Sequence, residues 1–125
     1  MMRKTAFSLL ALCASAISAH AQETLTVGCT FDLECYETEP CQMSAYGMDL
    51  TISGDEEPWA VLAETDAETM SGEAYELGTT LMVRLGSELG PVMITIDADG
   101  MARQSIHTVG LLSMINYTGG CGVID

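Results

Sequence analysis

Apolar and polar residues alternate along most of this chain. Between residues 25 and 35 the odd positions carry Leu25, Val27, Cys29, Phe31, Leu33 and Cys35, while Thr26, Gly28, Thr30, Asp32 and Glu34 stand between them. A period of two sends successive side chains to opposite faces, so this stretch predicts a half-buried β-strand. The pattern returns at Tyr46, Met48, Leu50 and Ile52, more weakly at Trp59, Val61 and Ala63, and again at Thr79, Leu81, Val83 and Leu85. Val92, Ile94 and Ile96 follow Gly90 and Pro91, and a final run extends from Leu111 to Thr118. D-A-D-G, Asp97 to Gly100, predicts a tight hairpin with Ala102 to Val109 as its returning strand.

No stretch has helical periodicity; Ala and Glu between Val61 and Met70 favour at most a short helical turn there. G-D-E-E-P from Gly54 to Pro58, Ser71-Gly72 and Gly119-Gly120 read as turns. Seven to eight short strands with frequent turn signals predict an all-β domain, a small antiparallel meander closing as a β-barrel or a two-sheet sandwich. Alternation reads the same in both architectures. Trp59 is expected to be the largest single contribution to the core.

The ends of the chain change the picture. Arg3 and Lys4, an apolar run from Ala6 to about Ile17, and small residues at Ala19 and Ala21 predict a secretory signal over residues 1–21 and one domain over 22–125. The apolar run is shorter than the roughly 20 residues of a membrane span, and no later stretch is longer, so no membrane span is expected. An alternative cut before Cys13 would leave a lipidated cysteine, although Leu12 stands where such a site has a small residue. The periplasm or the extracellular space is the expected location.

Removing residues 1–21 leaves two arginines against 18 acidic side chains, a net charge of −16. Such a surface repels phosphate instead of releasing its counterions, which excludes nucleic acid as a partner and favours a basic protein. Solubility alone also explains an acidic exported chain.

Four cysteines then remain, Cys29, Cys35, Cys41 and Cys121, an even number that predicts two disulfides in one of three pairings. On one extended strand Cys29 and Cys35 share a face about 20 Å apart, well beyond the ~7 Å reach of a disulfide between Cα atoms. Y-E-T-E-P between Cys35 and Cys41 can reverse the chain. Geometry therefore favours Cys35 with Cys41 and Cys29 with Cys121, while Cys29 with Cys41 and Cys35 with Cys121 stays open. The spacings lack the close ligand pairs of a zinc site, and no metal or cofactor is expected.

Other candidate chemistry is sparse. Asp97 and Asp99 resemble the start of a calcium loop whose third carboxylate and terminal Glu are missing, and Asp55, Glu56 and Glu57 read as a solvated turn. His107 with Ser105 or Ser113 would be the residues of a hydrolase, but no nucleophile elbow accompanies them, and opposite parity to Ile106 puts His107 toward solvent. The chain is therefore expected to bind, or to serve a structural role, and not to catalyse.

Two resemblances add to this reading. The end of the chain, from MITIDADGMARQSIHTVG to INYTGGC, resembles small exported bacterial cysteine-containing proteins of unassigned function, in which a strand, a D-G turn, a His-bearing strand and a Y-x-G-x-C segment follow one another. Here Tyr117 to Cys121 is one residue longer than that segment. S-G-E-A-Y, Ser71 to Tyr75, resembles the S-G-x-x-Y segment of the periplasmic inhibitors of C-type lysozymes. That resemblance implies a small β-barrel with Ser71 and Tyr75 as partner contacts, and an acidic surface suits a basic lysozyme. The family's Lys-Gly pair is absent, since Gly86 has no Lys before it.

Overall fold

The computed structural model describes residues 24–110 and 112–124. The expected signal, with Cys13, and Leu111 at the start of the last apolar run lie outside the described residues. Eight strands follow in chain order: β1 Thr24–Tyr36, β2 Gln42–Ser53, β3 Trp59–Glu64, β4 Thr69–Leu77, β5 Thr80–Gly86, β6 Pro91–Ile96, β7 Met101–Thr108 and β8 Ser113–Val123. Each pairs antiparallel with the next, and β1 pairs with β8 as well, so the sheet closes into a barrel. Closure satisfies the backbone groups that edge strands would leave open.

The alternation read from the chain sorts the faces. Val27, Cys29 and Phe31 of β1, Met48, Leu50 and Ile52 of β2, and Val92, Ile94 and Ile96 of β6 all point inward and are buried. Val61 and Ala63 of β3, Met70 and Ala74 of β4, Val83 and Leu85 of β5, Ala102 and Ile106 of β7 and Ile115 of β8 add to the filling. Threonine, serine and charged residues dominate the outward positions, so the barrel is apolar inside and polar outside, the reverse of one whose outer face meets lipid. Among the described residues no helix is long and apolar enough to cross a membrane.

Four expectations are corrected. Phe31 is the largest fully buried side chain, whereas Trp59 begins β3 and is only half-buried at a barrel mouth. Val61 to Met70 holds no helical turn; the end of β3 and the start of β4 are joined by a bend in which the Thr65 hydroxyl accepts hydrogen bonds from the Ala67 and Glu68 amides. Ser71-Gly72 lies within β4, and Gly119-Gly120 lies within β8. Glycine there serves close strand approach instead of a turn, because a Cβ on Gly72 would collide with the Arg84 carbonyl oxygen and one on Gly119 with that of Thr30.

The fourth correction concerns parity. Pairing of β1 with both neighbours shifts register between Phe31 and Leu33. Against β8 the pairs run Phe31 to Gly119 and then Leu33 to Thr118, which leaves Asp32 as an extra residue on β1. A bulge of this kind exchanges the faces beyond it. Glu34 therefore lies opposite inward Tyr117, while Cys35 lies opposite Asn116 on the outer face. Cys29 and Cys35 share a strand but not a face, and Glu34 is not on the solvent side of β1.

The favoured disulfide pairing is the one found. Cys29 bonds Cys121 across the β1–β8 seam, with Cα atoms 4.1 Å apart, and Cys35 bonds Cys41 across the turn between β1 and β2, at 4.2 Å. Two such bonds belong to an oxidising compartment.

Candidate functional site

Strands β4 and β5 carry the residues singled out by the S-G-x-x-Y segment. Met70 and Ala74 are buried, so Ser71, Glu73 and Tyr75 project outward, where Ser71 is exposed and Tyr75 half-buried. Their cross-strand partners on β5 are Gly86, Arg84 and Met82 in that order. Side chains at directly opposite positions share a face, so Arg84 joins this surface and Gly86 leaves open space beside Ser71. A shallow hollow of about 330 Å³ results, lined by Ser71, Gly72, Glu73, Arg84, Leu85 and Gly86.

Arg84 is held by two neighbours. Its guanidinium lies 5.5 Å from the centroid of the Tyr75 ring and its Nη2 lies 3.4 Å from the Glu73 carboxylate. Both charged side chains are more than half exposed, at 57% and 53%. A pair so solvated contributes little to stability, so Arg84 remains available to a partner. No sequence motif points to Arg84, and Gly86 stands out in the sequence only as the place of the missing Lys-Gly pair. Their place beside Ser71 follows from the β4–β5 register alone.

The other candidate residues do not assemble into a site. His107 is exposed on β7 opposite Met114, and the Ser113 hydroxyl is engaged with Thr108 Oγ1 at 2.7 Å. Among the described residues no hydrogen bond joins His107 to Ser105 or Ser113. Asp97 closes the β6–β7 turn, its Oδ1 accepting from the Asp99 amide at 3.0 Å and the Met101 amide at 2.9 Å. Gly100 in the same turn has φ +86, which glycine alone adopts readily. The Asp97 carboxylate is thus committed to its own backbone. No group of three metal-ligating side chains occurs among the described residues.

Inside the barrel, toward the β1–β2 turn, a polar cluster lies under aromatic rings. Tyr46 and Tyr117 approach to 5.1 Å between centroids, and Phe31 lies 5.8 Å from Tyr46 and 6.0 Å from Tyr117. Gln104, only 1% exposed, shares this interior. Neither polar atom of its amide completes a hydrogen bond among the described residues, although the amide lies near enough to the Tyr46 hydroxyl to ease that phenol's ionisation. Burial outweighs this and raises the Tyr46 pKa. Tyr117 is raised further, by burial first and then by hydrogen bonding to Glu34 and its charge. Tyr36 is raised mainly by its hydrogen bond to the same Glu34 carboxylate. The bulge at Asp32 assembles this cluster by turning Glu34 inward.

Comparison with protein-family models, with curated proteins and with solved structures gives no match.

Proposed function

We propose that this chain is an exported, non-enzymatic binding module of the periplasm or extracellular space that docks a basic protein on the outer β4–β5 face. The observation that carries this reading is that exposed Ser71 and Arg84 line a hollow containing Gly72 and Gly86, with half-buried Tyr75 beside Arg84 on the same face, on a chain rich in carboxylates. A face that presents an arginine with a tyrosine ring beside it offers the side-chain types that dominate protein contacts. Surrounding carboxylates speed and orient the approach of a cationic partner.

Inhibition of a C-type lysozyme is the second reading, and a specific observation favours it. The S-G-x-x-Y segment lies on an outward strand of a small closed barrel, the arrangement that the resemblance implies. Arg84, two positions before Gly86, supplies a cation near where that family's Lys-Gly pair would lie.

The test uses the mature protein with its disulfides intact. Titration against several C-type lysozymes and a panel of other small basic proteins should give at least one saturable, salt-sensitive complex. Ser71→Arg and Tyr75→Ala should each weaken that complex about tenfold or more, as substitutions in a contact centre do. Binding unchanged by both variants, or no complex at micromolar concentration with any basic protein, would overturn the reading. A complex that leaves lysozyme activity intact removes only the inhibitor.

A further inference from the structure

One barrel mouth, ringed by the β2–β3 and β4–β5 connections, is not filled by the described residues. A cavity of about 510 Å³ opens there between Leu25, Ile52, Trp59 and Leu81, with Ser53 and Glu76 also on its lining. This volume lies within the range of small-molecule sites, which are mostly apolar with a few placed polar groups. Leu25 is 44% exposed, so apolar wall faces solvent in the described residues.

Register makes Glu76 the anomaly. Leu25 pairs with Ile52, Trp59 with buried Ala74, and Glu76 with Leu81, which itself pairs with buried Ile96. Glu76 therefore holds the inward parity of Met70, Gly72 and Ala74 along β4 but stands exposed at the rim, and presents a carboxylate where the pattern calls for an apolar side chain. Among the described residues no cation pairs with it: Arg84 is engaged with Glu73, and Arg103 pairs with Thr118 on the outer face. The backbone beneath is anchored, because the Glu76 amide donates to the Glu57 carboxylate at 2.8 Å. Glu57 thereby adds a second negative charge at the rim.

We propose that this mouth binds a small amphiphilic cation, an alkyl or aryl ammonium whose apolar body lies against Ile52, Trp59 and Leu81 and whose charge meets Glu76. An indole face attracts a cation beyond its contribution of buried area, and the exposed Glu76 carboxylate at the edge of the apolar wall adds a Coulombic attraction that salt screens. A carboxylate-headed ligand of the same length would meet Glu76 and Glu57 and be repelled. The site is separate from the β4–β5 outer face and does not depend on what docks there.

Trp59 is the single tryptophan of the chain, so its fluorescence reports this mouth and nothing else. The mature protein is titrated with octyltrimethylammonium, octanoate and octanol, which share a tail and differ in charge. Octyltrimethylammonium should give a saturable change in emission, with octanoate about tenfold weaker or absent. Glu76→Gln should lower the affinity for the cation about fivefold to tenfold and leave octanol unchanged. Leu25→Arg, which places a cation at the mouth, should abolish the response to octyltrimethylammonium; circular dichroism verifies that both variants keep the β-sheet. Equal binding of octanoate and octyltrimethylammonium, an unsaturable response, or a Glu76→Gln variant that binds the cation as well as the parent would overturn the proposal. Ser71→Arg should leave all three titrations unchanged, which separates this site from the protein-docking face.

Discussion

Gln104 is a buried amide whose hydrogen-bonding groups are unpartnered among the described residues. Burying a polar group without a partner sacrifices its hydration, while an apolar group of similar shape does not. Gln104→Leu should therefore raise the unfolding free energy by about 1 to 2 kcal/mol, read from denaturant titration; a loss of stability would show that the amide is satisfied in solution. Tyr46 and Tyr117 beside it, with exposed Tyr36 near the β1–β2 turn, set the alkaline limit. Tyr36, Tyr46 and Tyr117 all have pKa values raised above the unfolded value near 10, so the folded state retains protons that the unfolded state gives up at high pH. Their contribution is complete below pH about 10 and is lost as pH rises beyond it. Unfolding should begin above that pH, and Tyr117→Phe should move its midpoint upward, as followed by circular dichroism and tyrosinate absorbance. Parity made Gln104 legible as an inward residue, since it alternates with Ala102 and Ile106. Its meeting with Tyr46 was not legible, because that contact joins strands far apart in sequence.

Strand β4 and the bulge on β1 show where local pattern ends. The inward positions of β4 are Met70, Gly72, Ala74 and Glu76, a sequence with too little apolar character to read as a strand. Pairing with β3 and β5 forms it nonetheless, and the glycine becomes a requirement of that pairing. Gly72→Ala should destabilise by about 2 to 3 kcal/mol, because a methyl group there collides with backbone that has nowhere to move. Gly86→Ala, opposite Ser71 with nothing within 4 Å of the added carbon, should be neutral or stabilising by about 0.5 kcal/mol. Thermal unfolding of both variants checks the contrast, and equal losses would show that strand entropy, not close approach, decides. The bulge is hidden in the sequence for the opposite reason: odd positions stay apolar through Leu33 and Cys35, so the alternation continues while the ladder slips beneath it.

For the whole molecule the decisive event is the meeting of β1 with β8. Those strands are the first and last of the barrel, and Cys29–Cys121 crosses their seam with a sequence separation of 92. In the chain-entropy account so long a loop stabilises by about 4 to 5 kcal/mol, against about 2 kcal/mol for a loop as short as Cys35–Cys41 closes. The paired variant Cys29→Ser with Cys121→Ser should therefore lose far more stability than Cys35→Ser with Cys41→Ser, measured by denaturant unfolding under oxidising conditions. Comparable losses would mean that the seam holds without its covalent link. Loss of the seam bond would also weaken the inner layer of Phe31, Tyr46 and Tyr117, since Cys29 packs in the same core.

Period-two alternation, turn residues and an even cysteine count are local properties, and from them the sequence by itself determined an all-β chain, most of its inner residues and the presence of two disulfides, with one pairing favoured and another left open. Whether those strands closed into a barrel or split into two sheets depended on a pairing between residues about ninety positions apart, to which alternation is blind. Which outward side chains stand together, Ser71 beside Gly86 and Glu73 beside Arg84, was decided by register. Which inward one breaks the apolar mouth, Glu76 beside Trp59 and Leu81, was decided the same way. Register is a property of two strands at once, so only the tertiary structure could supply it.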